Sequence, residues 1–139
     1  MPRDVLVVED EPAMADAMLR VLALKGYAAR RAVNGREALA AVEQCRPALV
    51  LLDILMPVMD GWECARELRL RYGTDLPIVV VTAAEHARQR AAELQADDVL
   101  PKPFDLGDLL RVVERYAGTA ANDANDDCRG ARAARGDRR

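Results

Sequence analysis

Five short β-rich runs alternate with five helical stripes along this chain, and that alternation limits the fold more than any other feature. DVLVV (Asp4 to Val8) and Leu49 to Leu52 are almost wholly apolar, as is Ile78 to Val81. Continuous apolar runs of this length suit strands buried on both faces, which is the habit of parallel sheets. The segment from Tyr27 to Val33 reads as a further strand, and Arg30 and Arg31 within it suggest a charged edge. Val99 and Leu100 form the last, just before PKPF.

Between these runs the period changes to that of helices. Met14, Met18, Val21 and Leu22 share one face after Pro12, and Lys25-Gly26 closes that helix. Asn34 and Glu37 have the spacing of a capping box, opening a helix through Leu39, Val42 and Cys45. Ala65, Leu68 and Tyr72 stripe a third, closed by Tyr72-Gly73, and Ala87, Ala91 and Leu94 a fourth. Leu106, Leu109, Leu110, Val113 and Ala117 stripe the last. Five βα units with apolar central strands predict one α/β domain, a doubly wound parallel sheet with helices on both faces. The composition breaks near Ala117: the domain is expected over residues 1–117. Residues 118–139, without large apolar side chains, read as a disordered tail or a linker to an absent effector domain.

In such sheets ligands sit beyond the carboxyl ends of the strands, where strand order reverses. Glu9, Asp10, Asp53, Thr82 and Lys102 each follow a β-run, so the fold gathers them at one end. Three carboxylates so close repel one another, and a cation among them, or a proton, relieves the repulsion. Oxygen donors without His or Cys favour a hard ion that keeps waters, which fits Mg²⁺. Asp53 then has the setting of a carboxylate nucleophile that forms an aspartyl phosphate. In-line phosphoryl transfer asks mainly for positioning and charge neutralisation. Lys102 offers a positive charge for a phosphoryl oxygen, and Thr82 a hydroxyl donor. Taken singly each residue has a plainer reading. Glu9, Asp10 and Glu11 would place negative charge at a helix N-terminus, Thr82 would cap a helix, and Lys102 would be a solvated lysine. Asp53 fits capping poorly, because the next helix opens only past Pro57 and Asp60-Gly61.

The stretches VVEDEP, LVLLDILMPVMDG, VVVTA and ADDVLPKPF, in that order, resemble the bacterial response-regulator receiver family, the CheY-like domains of two-component systems. The resemblance spans Asp4 to about Ala117. It implies a flavodoxin-like (βα)5 sheet in the order 2-1-3-4-5, with Asp53 as phosphoacceptor. It implies direct Mg²⁺ ligation by Asp10 and Asp53, Glu9 acting through water, and the Leu55 backbone carbonyl completing the metal shell. Thr82 and Lys102 take the phosphate-sensing places, and Lys102-Pro103 the place of a cis peptide. The expected partners are a sensor histidine kinase or phosphotransfer protein as donor, a downstream effector protein or domain, and a second copy of the chain on phosphorylation. The readout face would be the helix from Glu85 to Gln95, the Val99 strand and the last helix. Three positions depart from the family's habit. Val99 replaces the usual Tyr or Phe, Gln95 a common glycine, and Val112 an arginine frequent in one subfamily; Leu55 and Ala84, which flank the pocket, are apolar.

Charge and composition narrow the remaining classes. A formal net charge of −3 lacks the basic footprint of a nucleic-acid or anionic-membrane binder. No apolar run reaches the length of a membrane span, and MPRDVLVVEDEP lacks the plan of a signal peptide. Cys45, Cys64 and Cys128 are odd in number and widely spaced, as free thiols would be. A cytoplasmic signalling phosphoacceptor, not a turnover enzyme, is therefore expected. A metal-dependent phosphohydrolase of haloacid-dehalogenase type needs a second Asp where Leu55 stands. A flavodoxin needs an N–H-donating phosphate loop where Glu9-Asp10-Glu11-Pro12 stands. A phosphorylation-independent docking domain on the same fold, and the N-terminal part of a DNA-binding regulator, remain as alternatives.

Overall fold

The computed structural model describes residues 4–54, 61–83, 89, 92, 93 and 95–118. Five parallel strands form one sheet in the order β2-β1-β3-β4-β5: β1 (Asp4–Val8), β2 (Ala28–Ala32), β3 (Leu49–Asp53), β4 (Ile78–Ala83) and β5 (Asp98–Lys102). Helices α1 (Pro12–Leu24), α2 (Gly35–Gln44), α3 (Gly61–Tyr72) and α4 (Leu106–Ala117) connect and follow them, with a 3-10 turn at Gly73–Asp75. Of the helix expected over Glu85 to Gln95, residues 89, 92 and 93 are described and all are helical. The rest of that helix and residues 119–139, where the tail is expected, lie outside the described residues.

Period-two alternation along the strands divides the core into two layers. Leu6, Val8, Val50, Leu52, Ile78 and Val80 face α2 and α3, meeting Leu39, Val42, Ala65 and Leu68. Val5, Val7, Leu49, Leu51, Val79 and Val81 face the other way, meeting Met18 and Leu22 of α1 and Leu109, Val113 and Ala117 of α4. Each fully buried Leu or Val contributes roughly 1.5–3 kcal/mol relative to exposure. The helix set on each face thus follows from which strand residues are apolar. Both layers have to be satisfied at once, which fixes strand register.

Local signals set the ends. Pro12 opens α1, and the Glu11 side chain accepts from the Met14 N–H at 2.6 Å. Gly26, at φ 92°, follows its last turn. Asn34 caps α2 by accepting from the Glu37 N–H at 2.8 Å. The expected box is displaced by one residue, since the Glu37 carboxylate accepts from the Val33 N–H at 3.0 Å and not from Asn34. A full capping box, Asp105 with Asp108, opens α4. Gly73, at φ 63°, ends α3 as expected. At its far end α4 is tied back to the sheet, where the Tyr27 hydroxyl donates to the Gly118 carbonyl at 2.7 Å.

Edge strand β2 carries its arginines as expected, but they are engaged rather than solvated. Arg30 pairs with the buried Asp4 at 2.7 Å and donates to the Ala41 and Cys45 carbonyls. Cys64 is a buried free thiol whose pKa burial pushes up to about 12. Cys45 is also buried, and Cys128 lies outside the described residues.

Candidate phosphoacceptor site

The acidic residues stand where two central strands end side by side. Val8 pairs with Leu52, so Glu9 and Asp10 leave β1 level with Asp53 at the end of β3. One oxygen from each of Glu9, Asp10 and Asp53 lies within 4.8 Å of the others. Glu9 is 3% exposed and Asp53 5%, while Asp10 is more open to solvent. The turn that carries them is held by the sheet's edge, because the Glu9 N–H donates to the Ala32 carbonyl at 3.0 Å.

Among the described residues, the Lys102 ammonium is the cation that pairs with these carboxylates. Burial, and then the Asp53 charge, raise the Glu9 pKa from 4.5 to about 7. The Glu11 N–H, which donates to Glu9 Oε2 at 3.2 Å, and the Lys102 ammonium oppose that rise. Lys102, the last residue of β5, places Nζ 3.6 Å from Asp53 Oδ2 and 3.8 Å from Glu9 Oε1. The peptide between Lys102 and Pro103 is cis. Thr82, 5% exposed, ends the buried part of β4, one residue beyond the Val81 that pairs with Asp53. Three carboxylates gathered this closely, two of them buried, are the setting a divalent ion relieves. The oxygen-only donors suit Mg²⁺ by size and hardness.

The structure therefore brings together Glu9, Asp10, Asp53 and Lys102, and puts Thr82 at the same end of the sheet. Leu55, the carbonyl expected to complete the metal shell, lies outside the described residues, as does Ala84. Val99 is half-buried in β5 opposite Val80. With Leu100, Pro101, Val112 and Arg115 it lines a cavity of about 390 Å³. Gln95 adopts φ 57°, the left-handed conformation that explains why glycine suits this turn.

Two residues that build the site were not singled out as site residues from the sequence. Gly61 begins α3 with its N–H donating to the Ile54 carbonyl at 2.8 Å. A Cβ on Gly61 would strike the Ile54 backbone and come within 2.8 Å of the Asp53 carbonyl, so only glycine lets α3 start so close to the acceptor strand. Arg31 was read only as an edge charge. Its Nε donates to the Glu9 carbonyl at 3.1 Å and a terminal nitrogen donates to the Asp10 carbonyl at 3.1 Å. The available signal was its position one residue before the end of a strand adjoining β1.

Comparison with known proteins agrees with this geometry. The family model described as response regulator receiver domain matches residues 5–114. A response regulator named MprA from Mycolicibacterium vanbaalenii is 46% identical over 112 residues, covering 79% of this chain and 48% of that protein. The chain thus spans about half the length of the curated relatives it matches. The receiver domain of a Pseudomonas aeruginosa sensor histidine kinase, crystallised with a magnesium ion coordinated in its active-site cleft, is 30% identical. It superposes with a TM-score of 0.77, covering 86% of this chain and all of that one. TrrA of Thermotoga maritima, solved in complex with Mg²⁺ and beryllofluoride, is 34% identical with a TM-score of 0.75, over 82% of this chain and 98% of that one. A family match across almost all of the described residues, with superposition on solved receiver domains, leads to one conclusion: this chain belongs to the response-regulator receiver family.

Proposed function

We propose that this domain receives a phosphoryl group on Asp53 from a phosphohistidine and uses the acquired charge to change what it binds. The convergence of Glu9, Asp10 and Asp53 with the Lys102 ammonium 3.6 Å from the acceptor is the observation that supports this reading. Glu9, Asp10 and Asp53 would hold Mg²⁺, which when bound supplies the charge neutralisation that lets a phosphorylated donor approach. One Asp53 oxygen attacks phosphorus as the P–N bond to the donor imidazole breaks, and the imidazole leaves with the bonding pair. Lys102 then has a phosphoryl oxygen to pair with in place of a carboxylate, and the Thr82 hydroxyl donates to another. Self-phosphorylation and loss of the phosphoryl group are the only chemistry assigned, so the domain is a signalling acceptor and not a turnover enzyme.

The added charge, roughly 1.5–2 units, would bias a two-state equilibrium of the chain after Thr82 and before Lys102. The surface that reads it runs over the Glu85–Gln95 segment, β5 and α4. The donor is a sensor histidine kinase or phosphotransfer protein in the cytoplasm, and an effector protein or domain receives the output. The relatives are about twice as long as the matched segment, which supports a second reading: a receiver within a larger transcription regulator.

Amide spectra recorded with Mg²⁺ and beryllofluoride test the first reading directly. Wild type is expected to shift around Asp53, Thr82 and β5, and Asp53→Asn to stay unchanged. A silent wild type, or the same shifts in Asp53→Asn, removes the proposal.

A further inference from the structure

We infer that Arg31 is a positioning residue for the divalent-ion site, acting through the main chain of Glu9 and Asp10; the inference rests on the function proposed above. Its guanidinium makes a two-point contact from the edge of the sheet, Nε to the Glu9 carbonyl and a terminal nitrogen to the Asp10 carbonyl, both at 3.1 Å. These two carbonyls belong to the turn between β1 and α1, outside the regular hydrogen bonds of either element. The next carbonyl, that of Glu11, already accepts from the Ala15 N–H inside the helix. The same turn is held from behind by the Glu9 N–H on the Ala32 carbonyl, one residue after Arg31. An acceptor and two donors on β2 thus hold both polar groups of Glu9's backbone and the carbonyl of Asp10.

The direction of the contact matters. A guanidinium beside three carboxylates would ordinarily pair with one of them and compete with a cation for its oxygens. Arg31 spends these donors on carbonyls instead, leaving the carboxylate oxygens of Glu9 and Asp10 to converge with Asp53. A planar fork spans two successive carbonyls, whereas a lysine ammonium carries the same charge without that geometry. Groups that orient metal ligands without touching the metal typically change affinity 10- to 100-fold when altered.

Magnesium titration of the metal-free domain, followed by calorimetry and by the amide signals of Glu9, Asp10 and Glu11, separates the alternatives. Arg31→Lys is expected to weaken Mg²⁺ binding roughly 10-fold, with those three amides displaced before metal is added. Its metal-free melting temperature is expected to stay close to wild type. Affinity in Arg31→Lys equal to wild type would mean that charge alone matters and would overturn the inference. A metal-free melting point lowered enough to account for the weaker binding would overturn it too, leaving Arg31 a structural residue. Wild type that takes up no Mg²⁺ would instead defeat the proposed function itself.

Discussion

Glu9 and Gly61 carry opposite kinds of constraint at the acceptor strand, one electrostatic and one steric. Glu9 is an acid whose native pKa, about 7, lies above its ordinary 4.5. Such a group favours the native state fully below the lower value, and that contribution is lost as pH rises through the upper one. The metal-free domain should therefore lose stability at this site between about pH 4.5 and pH 7. Mg²⁺ binding needs the ionised carboxylate, so saturating Mg²⁺ should raise the melting temperature more at about pH 8 than at about pH 5. Equal rises at both would show that Glu9 plays no part in binding. For Gly61, the expected cost of Gly61→Ala is about 1–3 kcal/mol by chemical denaturation, because the clash is with backbone and no side chain can yield. The carboxylates could be read from the sequence because each follows an apolar run. Gly61 and Arg31 could not, since their roles depend on how closely α3 approaches β3 and on which strand lies beside β1.

Among the elements, the turn from Gln95 to Asp97 that leads into β5 is tied to α3 by one arginine. Arg69 of α3 donates to the carbonyls of Gln95, Gly73 and Leu76 and pairs with Asp97 at 2.9 Å. Asp97 in turn accepts from the Ile78 N–H at 2.8 Å. Arg69→Ala leaves three carbonyls without this donor, with an expected loss of about 2–4 kcal/mol in urea unfolding. Gln95→Gly should do the reverse. It keeps the carbonyl that Arg69 holds and relieves the left-handed backbone, for a gain of about 0.5–1 kcal/mol. A loss on that substitution would mean that the Gln95 side chain contributes more than its backbone costs. Strands and caps were legible here because runs of Val and Leu, and residues such as Asn34 and Gly26, act over a few positions. The Arg69 clamp was not, since it joins parts of the chain up to 28 positions apart. The Glu37 box was read one residue out because the spacing alone does not say which N–H the carboxylate will reach.

Across the whole molecule, one sheet separates two hydrophobic layers that share no side chain. Leu22 belongs to the α1–α4 layer and Ile78 to the α2–α3 layer, both fully buried. Leu22→Ala should cost about 2–5 kcal/mol and Ile78→Val about 0.5–1.5. The double variant should cost their sum to within about 0.5 kcal/mol, because neither change opens a void that the other can fill. A clear departure from additivity would show that the sheet bends to repack both faces together. The α/β class was legible at this scale from the alternation of periods. Strand order came from family resemblance, since the runs themselves do not say which strands are neighbours. The tether between Tyr27 and Gly118 also has a spatial consequence. It anchors the end of α4 beside the start of β2, at the pole of the sheet opposite the carboxylates. Whatever follows Gly118 therefore departs about one strand length, roughly 16 Å, from the acceptor. Under the proposed function, a phosphoryl group on Asp53 would sit at the opposite pole from Gly118, with the body of the domain between them.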